Sequence, residues 1–226
     1  MRSSILMTAT AVLSVVSGHN LINNAVGDAG GKALAFGVSA AASNSQSDTT
    51  TFKSGTKFGA TQQGAIDPAA QLAAVQKIAG AVLPQVASQI TLTLHQINGD
   101  GAGPMACSID TAASGTFADA TVATDVPGNN GNSGASNQDF PLVVNVAAGT
   151  ACTGTLGAVK NVCLVKCQNP AGPFGGVVPF QIASGGGAAA AAGNASAGAA
   201  AGAAAGAAKG NNAAGKKQGR WVAVDF

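Results

Sequence analysis

The sequence predicts a mainly β domain, an immunoglobulin-like antiparallel β-sandwich with one helical insertion, followed by a disordered Ala/Gly-rich C-terminal tail. Three observations predict this. Short apolar runs separated by turn-rich loops recur between residues 89 and 183, a single stretch carries helical periodicity, and the composition changes abruptly at Gly185. The expected boundaries are 1–18 for a signal peptide, 19–184 for the sandwich and 185–226 for the tail.

Met1-Arg2 precedes an apolar run of twelve residues, Ile5 to Val16, and then Ser17-Gly18. One positive charge, a short apolar segment and small residues describe a secretory signal. The run is short of the roughly 20 residues needed to span a bilayer. Val16 and Gly18 fit the small-residue positions before a cut between Gly18 and His19, and a cut one to three residues away is the alternative. The expected product is secreted and extracellular, monomeric, with no membrane segment in its mature form.

Residues 31–62 are rich in Ala, Ser, Thr, Gly and Gln apart from LAFGV at 34–38, which reads as one strand followed by a long loop. Residues 66–86, IDPAAQLAAVQKIAGAVLPQV, read as the helix. Asp67 is a suitable N-cap and Pro68 suits the first helical position. Leu72, Val75, Ala79, Val82 and Leu83 then fall on one face, and Pro84 marks the end. QITLTLHQI, 89–97, alternates strictly, with Ile90, Leu92 and Leu94 on one side and Thr91, Thr93 and His95 on the other. A loop, NGDGAGP, leads to the strand MACSID, and a long polar loop spans 126–139. DFPLVVNVAAG alternates again, and NVCLVKCQ and GVVPFQI complete the set of strands.

The tail is nearly all Ala and Gly, with glycines at 198, 202, 206 and 210. A glycine at that spacing costs a helix about 1 kcal/mol each time, so a flexible tail is expected. It carries the glycosylation sequon Asn194-Ala195-Ser196 and ends in RWVAVDF, which contains the only Trp.

Charge and composition exclude several functions. Residues 19–184 hold six lysines against eight aspartates and no arginine, so the basic surface that nucleic acid requires is missing. Cys107, Cys152, Cys163 and Cys167 are an even number in an exported chain and read as two disulfides, with three possible connectivities. Cys152 and Cys163 flank a plausible hairpin, which favours that pair together with Cys107–Cys167. The chain has no Glu, no G-x-S-x-G elbow, no phosphate-binding loop and no dinucleotide fingerprint. Asp100, alone in its glycine-rich turn, reads as turn chemistry.

Copper chemistry remains. The chain has two histidines, His19 and His95. A mature terminus at His19 offers a free α-amine and a ring nitrogen, and His95 supplies a third nitrogen. That T-shaped set, a histidine brace, suits copper, which favours nitrogen donors in tetragonal geometry. His95 is expected at a strand end on the polar face, beside a loop, where a ligand is rigid and accessible.

The segments GHNLINNAVGDAGGKALAFGVS, TLHQINGDGAGPMACSID, DFPLVVNVAAGTACTGT and NVCLVKCQNPAGPFGGVVPFQ resemble the fungal Egh-type virulence-factor family, which includes appressorial penetration proteins. The resemblance runs from the signal to about residue 183. It implies a secreted protein linked to host-surface penetration, with cell-wall polysaccharide or the host surface as partner. More distantly, the pattern is similar to lytic polysaccharide monooxygenases. That similarity implies copper held by His19 and His95, Phe174 in the axial role with Phe180 as its competitor, Gln181 behind it, and oxidative polysaccharide cleavage. His95 with Gly103-Pro104 matches their second histidine motif loosely. The Egh-type pattern has cysteines where Ser54 and Val177 stand here, which implies a lost disulfide near Phe174, a staple typically worth about 2–4 kcal/mol. The alternative function is a non-catalytic copper-binding or cell-wall structural protein.

Overall fold

The alternation of residues 89–96 is realised in full: Ile90, Leu92 and Leu94 are completely buried on one side of a strand at the centre of a sheet. The structure is a computed structural model, and it describes residues 19–53 and 55–184. The signal segment, position 54, the tail and its sequon at Asn194 lie outside the described residues.

Among the described residues, fourteen strands and one α-helix follow in chain order: β1 (Asn20–Gly27), β2 (Gly30–Ala33), β3 (Thr50–Thr51), β4 (Ala60–Thr61), β5 (Gly64–Ala65) and α1 (Pro68–Ala79) come first. Next are β6 (Gln85–Val86), β7 (Gln89–Gln96), β8 (Ala106–Asp110), β9 (Ala118–Ala120) and β10 (Val122–Thr124). β11 (Gln138–Asn145), β12 (Gly154–Leu156), β13 (Val159–Gln168) and β14 (Phe174–Ile182) complete the described elements. One sheet has the order β10-β11-β7-β1-β2; the other runs β5-β4-β3-β14-β13-β8-β9, with β12 on β13 and β6 on β14. Every pairing is antiparallel except β6 with β14. Ile22, Leu94 and Leu142 of the first sheet share one buried core with Leu164, Val178 and Phe180 of the second. The mainly β sandwich with one helical insertion is the fold observed.

Three local expectations change. The helix starts as read, with Asp67 Oδ1 accepting from the amides of Ala69 and Ala70 and Pro68 in the first turn, but it ends at Ala79. Gly80, at φ 118°, leaves the helical region four residues before Pro84. Val82 is therefore 60% exposed rather than on the buried face, and Gln85–Val86 go to β6 instead. LAFGV is not a strand: β2 lies just before it, and Leu34, Ala35 and Phe36 enter the core as an irregular segment. Sequence reading missed the short β3–β6, β9, β10 and β12, and the longest strand that it missed is β1. Asn20, Asn23 and Asn24 interrupt its apolar pattern, and a register shift falls between Ile22 and Asn24.

The disulfides are Cys107–Cys167, joining directly opposed residues of β8 and β13, and Cys152–Cys163. Val177 is wholly buried and its carbonyl accepts from Phe36 N at 2.9 Å, while Phe52 N donates to the Pro173 carbonyl at 2.8 Å. Backbone pairing to β3 thus holds the start of β14 beside Phe174. No helix among the described residues is long and apolar enough to cross a membrane.

Candidate functional site

Strand register brings the two histidines to the same end of the five-stranded sheet. His95 is directly opposite Leu21 of β1. His19, two residues earlier, accepts from Ile97 N through its carbonyl at 2.8 Å. The two histidines are therefore diagonal neighbours across one ladder, a spacing of about 7–8 Å between α-carbons.

Each imidazole has its own carboxylate. His95 is also directly opposite Asp139 on β11, and the ladder sets His95 Nδ1 at 2.6 Å from Asp139 Oδ1. Asp139 can only accept, so Nδ1 carries the proton and Nε2 keeps its lone pair in the neutral ring. That Nε2 is buried and has no hydrogen-bond partner. His95 as a whole is 7% exposed, so the expectation of a solvent-reaching residue on a polar face is corrected. Leu21 flanks it on one side and Asp139 on the other.

The His19 ring is turned towards the loop that follows β7. Its Nδ1 pairs with Asp100 Oδ1 and lies 3.2 Å from Asn98 Nδ2. The ring packs against Phe174 at the start of β14, with centroids 4.8 Å apart and planes at 54°. Phe174 is 8% exposed, and this contact joins the two sheets at the site.

A set of amide side chains locks the loop in place. Asn20 Nδ2 donates to the Gly101 carbonyl at 2.8 Å, and Asn169 Nδ2 to the Asp100 carbonyl at 2.6 Å. Gln96, fully buried, donates to the carbonyls of Asn98 and Ala135 and to Ser133 Oγ. Gly101 has no room for a side chain, because a Cβ there would collide with the His19 carbonyl.

Of the four residues expected at the site, the structure brings His19 and Phe174 into contact and places His95 on the neighbouring strand. Gln181 is not brought there. It stands seven residues along β14 from Phe174, about 23 Å at strand rise, where its side chain bonds Gln85 Nε2 and the Lys160 carbonyl. Phe180 is fully buried in the core and does not reach the histidines' end either. Sequence reasoning missed Asp139, which is 44 residues from His95 and reaches it only through strand register. It also assigned Asp100 to turn chemistry, whereas the turn directs that carboxylate onto His19.

Among the described residues, no three His, Cys, Asp or Glu side chains converge as a metal-holding group. His19–Asp100 and His95–Asp139 are separate pairs. A brace needs no third side chain, because its remaining nitrogen is the α-amine that cleavage before His19 would create. In the full chain that nitrogen is the Gly18–His19 peptide nitrogen.

Comparison with known proteins agrees along most of the chain. The Egh16-like virulence factor family matches residues 17–175. The appressoria-specific virulence factor GAS1 of Pyricularia oryzae is 40% identical over 195 residues, covering 79% of this chain and 78% of that protein. The appressoria-specific virulence factor GAS2 of the same fungus is 42% identical over 99 residues, covering 40% of this chain and 34% of that protein. No solved structure matches the chain.

Proposed function

The chain belongs to the Egh16-like virulence-factor family, and from that premise we propose that it is a secreted, virulence-associated protein of host-surface penetration that carries copper between His19 and His95. The observation that carries the copper reading is the unpartnered, buried Nε2 of His95. A buried acceptor without a partner costs about 1–3 kcal/mol, a cost that a metal ligand recovers on binding. Asp139 fixes the ring and its tautomer from behind, the usual arrangement of a carboxylate behind a ligating imidazole.

The residues present fit such a group. Cleavage before His19 supplies the amine, and the same residue supplies Nδ1. Asp100, at 41% side-chain exposure, has solvent to move into when Nδ1 is needed. Phe174 covers the His19 ring on the apolar side and excludes a further polar ligand there. Copper supplies one-electron redox chemistry when bound, and oxidative cleavage of cell-wall polysaccharide is the activity to assay. The other residues keep the ligands oriented: Asn20, Asn169 and Gln96 hold the loop, and Gly101 admits it against His19.

One observation favours a second reading, a non-catalytic copper-binding or surface protein. Among the described residues the only large exposed hydrophobic side chain is Val82, so no exposed aromatic platform for a flat polymer lies beside the histidines.

The test begins with the secreted protein. Mass spectrometry of its N-terminus is expected to show His19 first, and calorimetric titration to show one copper per chain. A terminus elsewhere removes the amine and defeats the copper reading. With copper bound, oxidised oligosaccharides released from chitin or cellulose under reductant identify the enzyme, and their absence leaves the binder.

A further inference from the structure

Away from the histidines, two hollows open on either side of Asp119 along the edge strand β9, one of about 290 Å³ and one of about 120 Å³. The larger is near the roughly 300 Å³ at which small-molecule sites begin. Its floor is apolar, from Ile109 and Ala120, and its rim includes Thr111, Thr121 and Asn145.

Main-chain groups of the rim are committed within the fold. The Thr121 carbonyl accepts from Asn145 N at 2.9 Å, and the Thr111 carbonyl from Thr153 N at 2.7 Å. The side chains keep free donors and acceptors. Asn145 Oδ1 is engaged by Gln89 Nε2 at 2.9 Å, which leaves the hydrogens of its amide nitrogen to donate. Among the described residues, the hydroxyls of Thr111 and Thr121 and the carboxylate of Asp119 have no hydrogen-bond partner. A ligand rich in hydroxyls finds both donors and acceptors among these side chains.

Charge narrows the class further. The smaller hollow is lined by Lys166 and Ser108, and Asp119 is common to both hollows. Lys166 Nζ sits 4.5 Å from the Phe117 ring centroid and 5.6 Å from that of Phe52, which keeps the ammonium beside the hollow. With Lys166 near Asp119, the edge has no net charge to select an anion or a cation.

We propose that this edge binds a neutral saccharide, with its apolar floor under the C–H face of a pyranose ring, Asn145 Nδ2 donating to a hydroxyl and Asp119 accepting from one. The register Lys166↔Ser108↔Asp119 runs across β13, β8 and β9, and Ile109, Ala118 and Ala120 face the opposite side of the sheet, so the larger hollow is the saccharide site and Asp119 stands at the edge between the two. The site needs no copper and stands apart from the copper reading.

The test is calorimetric titration of the secreted chain with chitohexaose, cellohexaose and laminarihexaose. At least one is expected to bind. Asp119→Ala is expected to weaken it about tenfold, the loss of one hydrogen bond to a charged group, with copper affinity unchanged. Thr121→Val, at an exposed edge position, is expected to weaken it less and serves if the first variant fails to fold. Binding of none of the three, or binding that neither substitution weakens, overturns the proposal. Binding lost in His95→Ala but kept in Asp119→Ala also overturns it, because the saccharide would then sit at the histidines.

Discussion

The two histidine–aspartate pairs are built in different ways. His95 and Asp139 face each other across adjacent central strands, so the same ladder that packs Leu92 against Leu142 also fixes their 2.6 Å contact. His19 precedes β1, and its partner Asp100 comes from a loop held by amide side chains. The first pair is organised by the fold whether or not the chain is processed. The second is held by that loop and involves a carboxylate with room to leave. In the proposed copper site, the fold alone would fix His95, and cleavage before His19 would complete the other ligand.

Substitutions at the two pairs sharpen that contrast. The largest effect is expected at His95: His95→Ala lowers copper affinity by more than the roughly 100-fold that loss of a supporting partner reaches, with His95→Gln as a control that keeps volume. Next is Asp139→Asn, which leaves the ligand but not its orientation. A loss of about 10–100-fold is expected, with partial recovery in Asp139→Glu, read by the same titration. Asp100→Asn is expected to act in the opposite direction and weakly. Its pair with His19 is partly exposed and worth at most about 1 kcal/mol, so freeing Nδ1 raises affinity by no more than about fivefold. If Asp100→Asn costs as much as Asp139→Asn, the contrast between the pairs is broken.

Asp28 marks the far end of the comparison, a carboxylate with no histidine. Burial alone would raise its pKa. The amides of Ala87, Ser88 and Gln89 and the Ser88 hydroxyl all donate to it and outweigh that, so it lies below its usual value of 3.8. A depressed carboxylate pKa stabilises the fold above the unfolded pKa, and the contribution fades as pH falls through the folded value. Asp28→Asn should therefore lower the denaturation midpoint near neutral pH and leave copper affinity unchanged. Its effect on the midpoint should shrink below about pH 4.

Much of the scaffold was legible because strand alternation is a local signal. Residues 89–97 and 139–146 display it plainly, and Cys152 and Cys163 flank a hairpin short enough to pair by eye. β1 was illegible because it is buried on both faces, so its asparagines turn inward instead of alternating outward; Asn20 donates to the Gly101 carbonyl and Asn23 to the Ser43 carbonyl. The helix was overextended because Gly80 stops it without a proline, and the apolar residues beyond still suit a helical period. At the site, His19 was found from the expected cleavage junction, and Phe174 from the distant similarity to lytic polysaccharide monooxygenases. Asp139 was not, since the pairing of β7 with β11 is a long-range choice. Gln181 was misplaced because adjacency of Phe174 and Gln181 in sequence becomes distance along an extended strand.

The central claim is that His19 and His95 share one copper through three nitrogens. Electron paramagnetic resonance of the secreted chain with one equivalent of Cu(II) tests it most directly. The expected spectrum is axial, with hyperfine structure from three nitrogens, one of which disappears in His95→Ala. A signal from hydrated copper, or one that His95→Ala leaves unchanged, would contradict the account.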